Sequence, residues 1–222
     1  MLDVRQLRKT YRTGGVAQTV FDDLSFSVRD GEVVALLGAS GSGKTTLLNL
    51  LSGIDSPDGG SVHIEGVDVH AQGEPQRTLL RRRRIGFVFQ FFNLIPTLTV
   101  GENIALPMEL NGTSPSRAAN RVQELLAQVG LAGMADRYPE TLSGGEQQRT
   151  AVARALAHGP KVLLADEPTG NLDETTADQV IALLSGLARA QRTTMVLVTH
   201  SRRVADSADR VLQLTRGRLV GG

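Results

Sequence analysis

The residues Gly38-Ala39-Ser40-Gly41-Ser42-Gly43-Lys44-Thr45 fit the pattern G-x-x-x-x-G-K-[ST]. Each part has a physical use. The glycines let the backbone fold tightly and turn successive N–H groups toward one anion. A helix starting near Lys44 would aim the positive end of its dipole at that anion. Lys44 offers a compact cation for the terminal oxygens of a polyphosphate. The Thr45 hydroxyl suits Mg²⁺, a hard ion that prefers oxygen. The bland alternative is a glycine turn carrying an exposed lysine. The apolar run Val33–Leu37 before the loop and the leucine-rich stretch after it argue for phosphate binding. The loop alone leaves kinases, GTPases and motor ATPases open.

Two further motifs narrow the chemistry. Val162-Leu163-Leu164-Ala165-Asp166-Glu167 reads as an apolar strand ending in two acids. Asp166, at the strand's end, could steady Mg²⁺ and its waters. Glu167, one residue on, could polarise an attacking water. By itself such a pair is also a common helix cap; after a phosphate loop the catalytic reading is favoured. Leu142-Ser143-Gly144-Gly145-Glu146-Gln147-Gln148-Arg149 opens a helix with a serine and two glycines, a second set of exposed N–H donors suited to an anion. Within a site built from one chain it has no evident role.

The surrounding pattern supplies elements to hold these groups. Leu24, Phe26 and Val28 alternate with Ser25 and Ser27, as in a half-buried strand, and Asp30-Gly31 marks a turn. Val33–Leu37, Val162–Ala165 and Met195–Val198 are continuous apolar runs, expected of strands covered on both faces. Val62–Ile64 and Ile85–Phe89 suggest further strands. A helix is expected from Thr45 to Ser52, and another over Ala177–Ala190, where Val180, Ile181, Leu183, Leu184 and Leu187 recur at helical spacing. Ser114-Pro115 has the form of a helix start, a cap residue followed by proline at the first position, after which Val122, Leu125, Leu126 and Val129 share a face. Arg210–Leu214 and Arg218–Val220, joined through Arg216-Gly217, suggest a closing hairpin. Strands alternating with helices imply an α/β fold with a mainly parallel sheet.

The bulk numbers agree with a folded chain: 222 residues, 41% hydrophobic, formal net charge +1. The neutral balance gives no sign of a nucleic-acid partner, and none is expected. The absence of cysteine excludes disulfides and thiolate metal sites. No apolar run approaches the roughly 20 residues that span a bilayer, and Met1-Leu2-Asp3-Val4-Arg5 lacks the apolar core of a signal peptide, so the chain is expected to be soluble by itself. Any membrane role would come through a partner.

Taken in order, the motifs resemble an ATP-binding-cassette (ABC) nucleotide-binding domain over essentially the whole chain: the loop at Gly38–Thr45, Gln90, Leu142–Glu146, the pair Asp166–Glu167, Gly170-Asn171-Leu172-Asp173, and His200. Tyr11 falls where that family places an aromatic stacked on adenine. The resemblance implies a P-loop NTPase (RecA-like) core with a mainly parallel sheet, an N-terminal antiparallel β subdomain and an inserted α-helical subdomain. It implies one ABC ATPase domain over residues 1–222, the core from 1–90 and 158–222 and the helical part from about 91–157. It also implies a head-to-tail homodimer in which each ATP lies between the phosphate loop of one copy and the signature of the other. The implied nucleotide contacts are Tyr11, Gly38, Ser40, Gly41, Ser42, Gly43, Lys44, Thr45, Thr46 and Gln90, with Ser143, Gly144 and Gly145 reaching the γ-phosphate on the opposite chain and Asp173 linking the two sites. Thr45, Gln90 and Asp166 would serve Mg²⁺. Glu167 would be the base, His200 would hold the γ-phosphate and water in line, and Lys44 would neutralise charge.

What such a motor drives is suggested by the stretch from Gln90 to Asn103, Gln90-Phe91-Phe92-Asn93-Leu94-Ile95-Pro96 and onward, unusually apolar for a segment with turn residues. It is either local core or a groove for an integral membrane permease subunit, which would place the chain on the cytoplasmic side of a membrane. The wording Gly86–Gln90, Asn93-Leu94, Glu102-Asn103 and Asp166–Asp173 is similar to the branch holding lipoprotein-releasing, macrolide-efflux and antimicrobial-peptide-resistance transporters. The alternative within that branch is a cell-division ATPase controlling wall hydrolysis without transport. The run Arg81-Arg82-Arg83-Arg84 reads as a solvated face, since no aromatics interleave with it.

Overall fold

The buried runs form the centre of a six-stranded sheet. In the computed structural model, which describes residues 1–220, strands β3 (Val33–Leu37), β6 (Ile85–Phe89), β7 (Val162–Asp166), β8 (Thr194–Thr199), β9 (Arg210–Thr215) and β10 (Arg218–Val220) lie in the order β10-β9-β3-β8-β7-β6. All neighbours are parallel except the β9–β10 hairpin. Val33 to Leu36, Val162 to Ala165 and all of β8 are buried, as a sheet with both faces covered requires.

The register matters most for function. Leu37 pairs with Thr199, Asp166 with Val198, and Phe89 with Asp166. The carboxyl ends of β3, β8, β7 and β6 therefore stand level. Residues that follow them, Gly38, His200, Glu167 and Gln90, emerge along one rim, the usual place for a ligand in an open parallel sheet.

A second sheet of four antiparallel strands, β2-β1-β4-β5, is built from β1 (Leu2–Thr13), β2 (Val16–Val28), β4 (Gly59–Ile64) and β5 (Val67–Asp68). Its inner residues, Leu2, Val4, Leu7, Phe21, Leu24 and Ile64, pack with the leucines of helix α1 (Lys44–Ser52) and one face of the parallel sheet. Full burial of side chains of this size contributes roughly 1.5–3 kcal/mol each. The other face of the parallel sheet is covered by α5 (Gly144–Leu156) and α6 (Glu174–Ala190), with Val152, Leu156, Ile181 and Leu184 against Leu163, Ala165 and Leu197.

Helices α3 (Val100–Leu110) and α4 (Pro115–Gln128) form with α5 a separate helical core around Ile104, Val122, Leu125 and Leu126. A short helix α7 (Arg202–Ala205) follows β8. Among the described residues no helix is long and apolar enough to cross a membrane.

Helix α1 begins at Lys44, where the phosphate-loop pattern puts it. Two local expectations change in the structure. Ser114 has the extended backbone of a cap, but its side chain makes no capping hydrogen bond; Pro115 at the first position sets the start instead. The four arginines end a helix, α2 (Gln76–Arg84), and are not a uniformly solvated face. Arg81 donates to the Gly53 carbonyl and to Thr78, Arg84 pairs with Glu65, and of the four only Arg83 is exposed.

Candidate functional site

The loop Gly38–Gly43 is shaped by backbone that only some residues tolerate. Gly43 has φ 99, and an added Cβ would sit 2.8 Å from Val20 Cγ1 and 3.0 Å from the Phe21 ring. The left-handed conformation and the close approach of β2 together demand glycine there. Gly43 is also the residue preceding α1, so the free N–H groups of the helix's first turn open onto the cleft beyond the loop.

Lys44 is 9% exposed. Its Nζ donates to the carbonyls of Gly38 (2.8 Å) and Ala39 (3.0 Å) and lies 3.9 Å from Glu167 Oε1. The ammonium is thus already desolvated and tethered at the mouth of the loop, where a polyphosphate would be its main counter-ion. Thr45 Oγ1 donates to Asp166 Oδ2 at 3.2 Å. Burial, together with the neighbouring charge of Glu167, raises the Asp166 carboxyl above its ordinary range, against the opposing influences of Thr45 and Lys44. A cation at this point would relieve that penalty.

Glu167 sits one residue past the end of β7 in a left-handed conformation, φ 46. For a non-glycine residue this costs on the order of 1–3 kcal/mol and persists only where surroundings enforce it. Here the Glu167 N–H donates to the Val198 carbonyl at 2.9 Å, and His200 contacts both carboxylate oxygens: Nδ1 lies 2.9 Å from Oε1 and the backbone N–H donates to Oε2 at 3.3 Å. The carboxylate faces the cleft while its backbone stays pinned to β8.

At the other end of the cleft Tyr11 is 38% exposed. Its hydroxyl donates to Asp55 Oδ2 at 2.7 Å, and Lys9 Nζ lies 4.8 Å from the ring centroid while also donating to Asp55 Oδ1 at 2.8 Å. Burial raises the Tyr11 phenol, and the bond to Asp55 adds to it. Burial would likewise raise Asp55, but hydrogen bonds from Lys9 and Tyr11 outweigh it and hold that carboxyl below its usual range. The ring is fixed at its tip and along one face.

These groups line a single cleft of about 720 Å³. The structure brings Tyr11, Ser40, Gly41, Gly43, Lys44, Thr45, Thr46, Gln90, Asp166, Glu167 and His200 into it. Gly38 and Ser42 are not among its lining residues; the Ser42 Oγ is buried beside Gly38 and makes no hydrogen bond. Gln90 is linked to Asn171 in both directions, Nε2 to Oδ1 at 3.3 Å and Asn171 Nδ2 to the Gln90 carbonyl at 3.0 Å. Gln18 and Val20 also line the cleft. Sequence reasoning passed over both, because nothing in strand periodicity marks which end of β2 overhangs a loop that folds from elsewhere.

Ser143, Gly144, Gly145 and Asp173 stand outside the cleft. Ser143 is exposed at the start of α5 in a reciprocal cap with Glu146: the Ser143 N–H donates to Glu146 Oε2 at 2.8 Å, and the Glu146 N–H reaches Ser143 Oγ at 3.4 Å. Gly145 packs against Thr176 of α6. Asp173 is exposed and caps α6 through the Thr176 N–H at 3.0 Å; hydrogen bonding from the Thr176 side chain, and then from its N–H, holds the carboxyl below its usual range. The one-chain cleft thus holds a phosphate loop, an acid pair and a histidine, and leaves an anion-ready helix end unused.

Comparison with known proteins places these features in context. The family described as ABC transporter matches residues 21–170. An ABC transporter ATP-binding protein of Mycobacterium tuberculosis strain H37Rv is 51% identical over 220 residues, covering 99% of this chain and 89% of the relative. The lipoprotein-releasing system ATP-binding protein LolD of Xanthomonas campestris pv. campestris strain 8004 is 48% identical over 219 residues, covering 99% of this chain and 92% of its own. Among solved structures, the dimer of MJ0796, a bacterial ABC transporter cassette, superposes with a TM-score of 0.90 at 38% identity, covering 100% of this chain and 97% of the other. The same cassette in a post-hydrolysis dimer bound to ADP and Pi gives 0.90 at 37%.

Proposed function

The chain belongs to the ABC transporter family of ATP-binding, ATP-hydrolysing subunits, and from that premise we propose that two copies close head to tail around ATP to drive an integral membrane partner. One observation carries the dimer: the cleft gathers the loop, the acid pair and His200, while Ser143, Gly144, Gly145 and Asp173 remain outside it. In the closed pair the helix end at Ser143 caps the γ-phosphate held by the opposite chain, and Asp173 meets the facing site. The dimeric form of the similar cassette MJ0796 supports this arrangement.

Within each half, Lys44 and the amides of Ser40 to Thr46 bind the phosphates, and Tyr11 stacks on the base. Gln90 reports on the γ-phosphate. Glu167 accepts a proton from the attacking water, which His200 holds in line. Closure excludes bulk water and adds the partner's donors where negative charge develops. The donor set also fits Mg²⁺. No cluster of three or more His, Cys, Asp or Glu among the described residues would hold a metal unaided, but Thr45, Asp166 and Gln90 supply the few protein oxygens that Mg²⁺ takes alongside phosphate. When bound, Mg²⁺ would offset charge on the transferred phosphoryl group.

The membrane partner is inferred from the strap after Gln90. Phe91 is 71% exposed, and Ile95 is also exposed. Solvated apolar side chains beside a nucleotide-sensing glutamine suit a docking groove better than local core. The similarity to the LolD protein supports a lever of the lipoprotein-release or efflux type, acting from the cytoplasmic side. Detergent extraction tests it: the tagged chain should retain an integral membrane protein, and Phe91→Glu should release it while ATP hydrolysis by the isolated chain persists. Recovery without any membrane protein would count against the reading.

A further inference from the structure

We propose that Gln148 and Arg154 are positioning residues which, from helix α5, clamp the backbone on both sides of Gln90, so that the helix opening at Ser143 and the cleft of the same chain move together. The inference rests on the reading of Gln90 given above.

Gln148 is fully buried. Its Nε2 donates to the Phe89 carbonyl at 3.3 Å and to the Pro168 carbonyl at 2.5 Å. The first lies just before Gln90 and the second just after Glu167. Arg154, on the same helix, donates from Nη1 to the Asn93 carbonyl at 2.6 Å and from Nη2 to the Phe92 carbonyl at 2.9 Å. Asn171 holds the carbonyl of Gln90 itself. The chain leaving β6 has no ladder partner here; its carbonyls are met by its own turn, where the Phe92 and Asn93 N–H groups donate to Phe89 and Phe91, and by these side chains.

The held segment is not a relaxed one. Phe92 and Asn93 have φ 60 and 50, left-handed values that residues with a Cβ visit rarely and only when neighbours impose them. The planar fork of Arg154 gives each of two adjacent carbonyls its own nitrogen in a fixed geometry, where a lysine would offer a single rotatable ammonium. Among the described residues it has no carboxylate partner within ion-pair distance, and burial lowers its pKa. A partly desolvated cation without a counter-ion is costly to keep. Docking of α5 does not require it, since Val152 and Leu156 already pack beneath, and Gly86 lets β6 approach so closely that a Cβ there would collide with the Ala155 carbonyl.

Helix α5 runs unbroken from Gly144 to Leu156. A shift of its Ser143 end onto the opposite nucleotide is therefore carried through Gln148 and Arg154 to Gln90 and Glu167 of its own cleft. This gives the two sites of a dimer a direct mechanical link.

A double-mutant cycle on the full chain tests it, reading kcat for ATP hydrolysis and the dissociation constant of N-methylanthraniloyl-ADP. Arg154→Met and Gln148→Met should each lower kcat about tenfold, with Arg154→Lys intermediate and nucleotide affinity changed by less than about twofold. In a Gln90→Ala background Arg154→Met should add nothing. If Arg154→Met does not fold, Arg154→Lys carries the same cycle. Effects that multiply with Gln90→Ala would overturn the clamp while leaving the role of Gln90 intact. A Gln90→Ala chain with full kcat would overturn that role and the clamp with it.

Discussion

The Glu167 carboxylate meets His200 through both oxygens, with Oε1 2.9 Å from Nδ1 and Oε2 accepting the backbone N–H at 3.3 Å. The bond fixes the carboxylate's direction in a residue whose own backbone is strained. Replacement by glutamine keeps the shape and removes the basicity. Glu167→Gln is expected to bind ATP normally and hydrolyse it about 10²–10⁴-fold more slowly, measured by phosphate release under saturating ATP. Full turnover would reject Glu167 as the base.

Tyr11 is held by Asp55 and Lys9 before any ligand arrives. If the ring stacks on the base, Tyr11→Ala loses about 1–3 kcal/mol of binding, roughly a 5- to 150-fold rise in the nucleotide dissociation constant. The maximal rate should change little, because the ring is held by Asp55 and Lys9 and makes no bond to Glu167 or His200. An unchanged dissociation constant would remove Tyr11 from the site.

Asp166 has a raised pKa from burial and from the charge of Glu167. A carboxyl raised in the folded state holds its proton more tightly there than in the unfolded chain. Stability contributed by this group therefore falls as pH rises from the ordinary carboxylate value of 3.8 through the raised one, and the full penalty applies at neutral pH. Asp166→Asn should raise the melting temperature of the nucleotide-free chain at pH 7.5 (about neutral), with the gain shrinking toward pH ~4, while Mg²⁺-dependent hydrolysis is lost. A lower melting temperature at neutral pH would contradict this.

Gly43→Ala introduces a Cβ 2.8 Å from Val20 at φ 99. The cost should be about 1–3 kcal/mol, a fall in melting temperature of roughly 2–4 °C per kcal/mol for a chain of this size. Nucleotide binding should fail as well, because the loop must open to accommodate the clash. Unaltered binding and melting would show that the loop's conformation is less constrained than the structure indicates.

Much of the core was legible because its strands are buried on both faces. Val33–Leu37, Val162–Ala165 and Met195–Val198 are strands whose apolar runs required no partner to be recognised. The alternation at Leu24, Phe26 and Val28 likewise marked β2. Helix α2 escaped notice because it buries no residue fully and ends in four arginines, leaving no apolar period to read. The loop and the acid pair were visible as local patterns. The parts played by Asn171, Asp55, Gln148 and Arg154 were not, since each acts on groups distant in sequence that only the folded sheets bring near: Asp55 on Lys9 and Tyr11 of β1, the others on the chain following β6 and β7.

Sedimentation of Glu167→Gln with and without ATP, beside the double variant Glu167→Gln/Ser143→Arg, addresses the composite site most directly. The single variant should be monomeric alone and dimeric with ATP, and the double variant should bind ATP yet remain monomeric. A double variant that dimerises with ATP as readily as the single one would contradict the role of Ser143 as a cap over the opposite nucleotide.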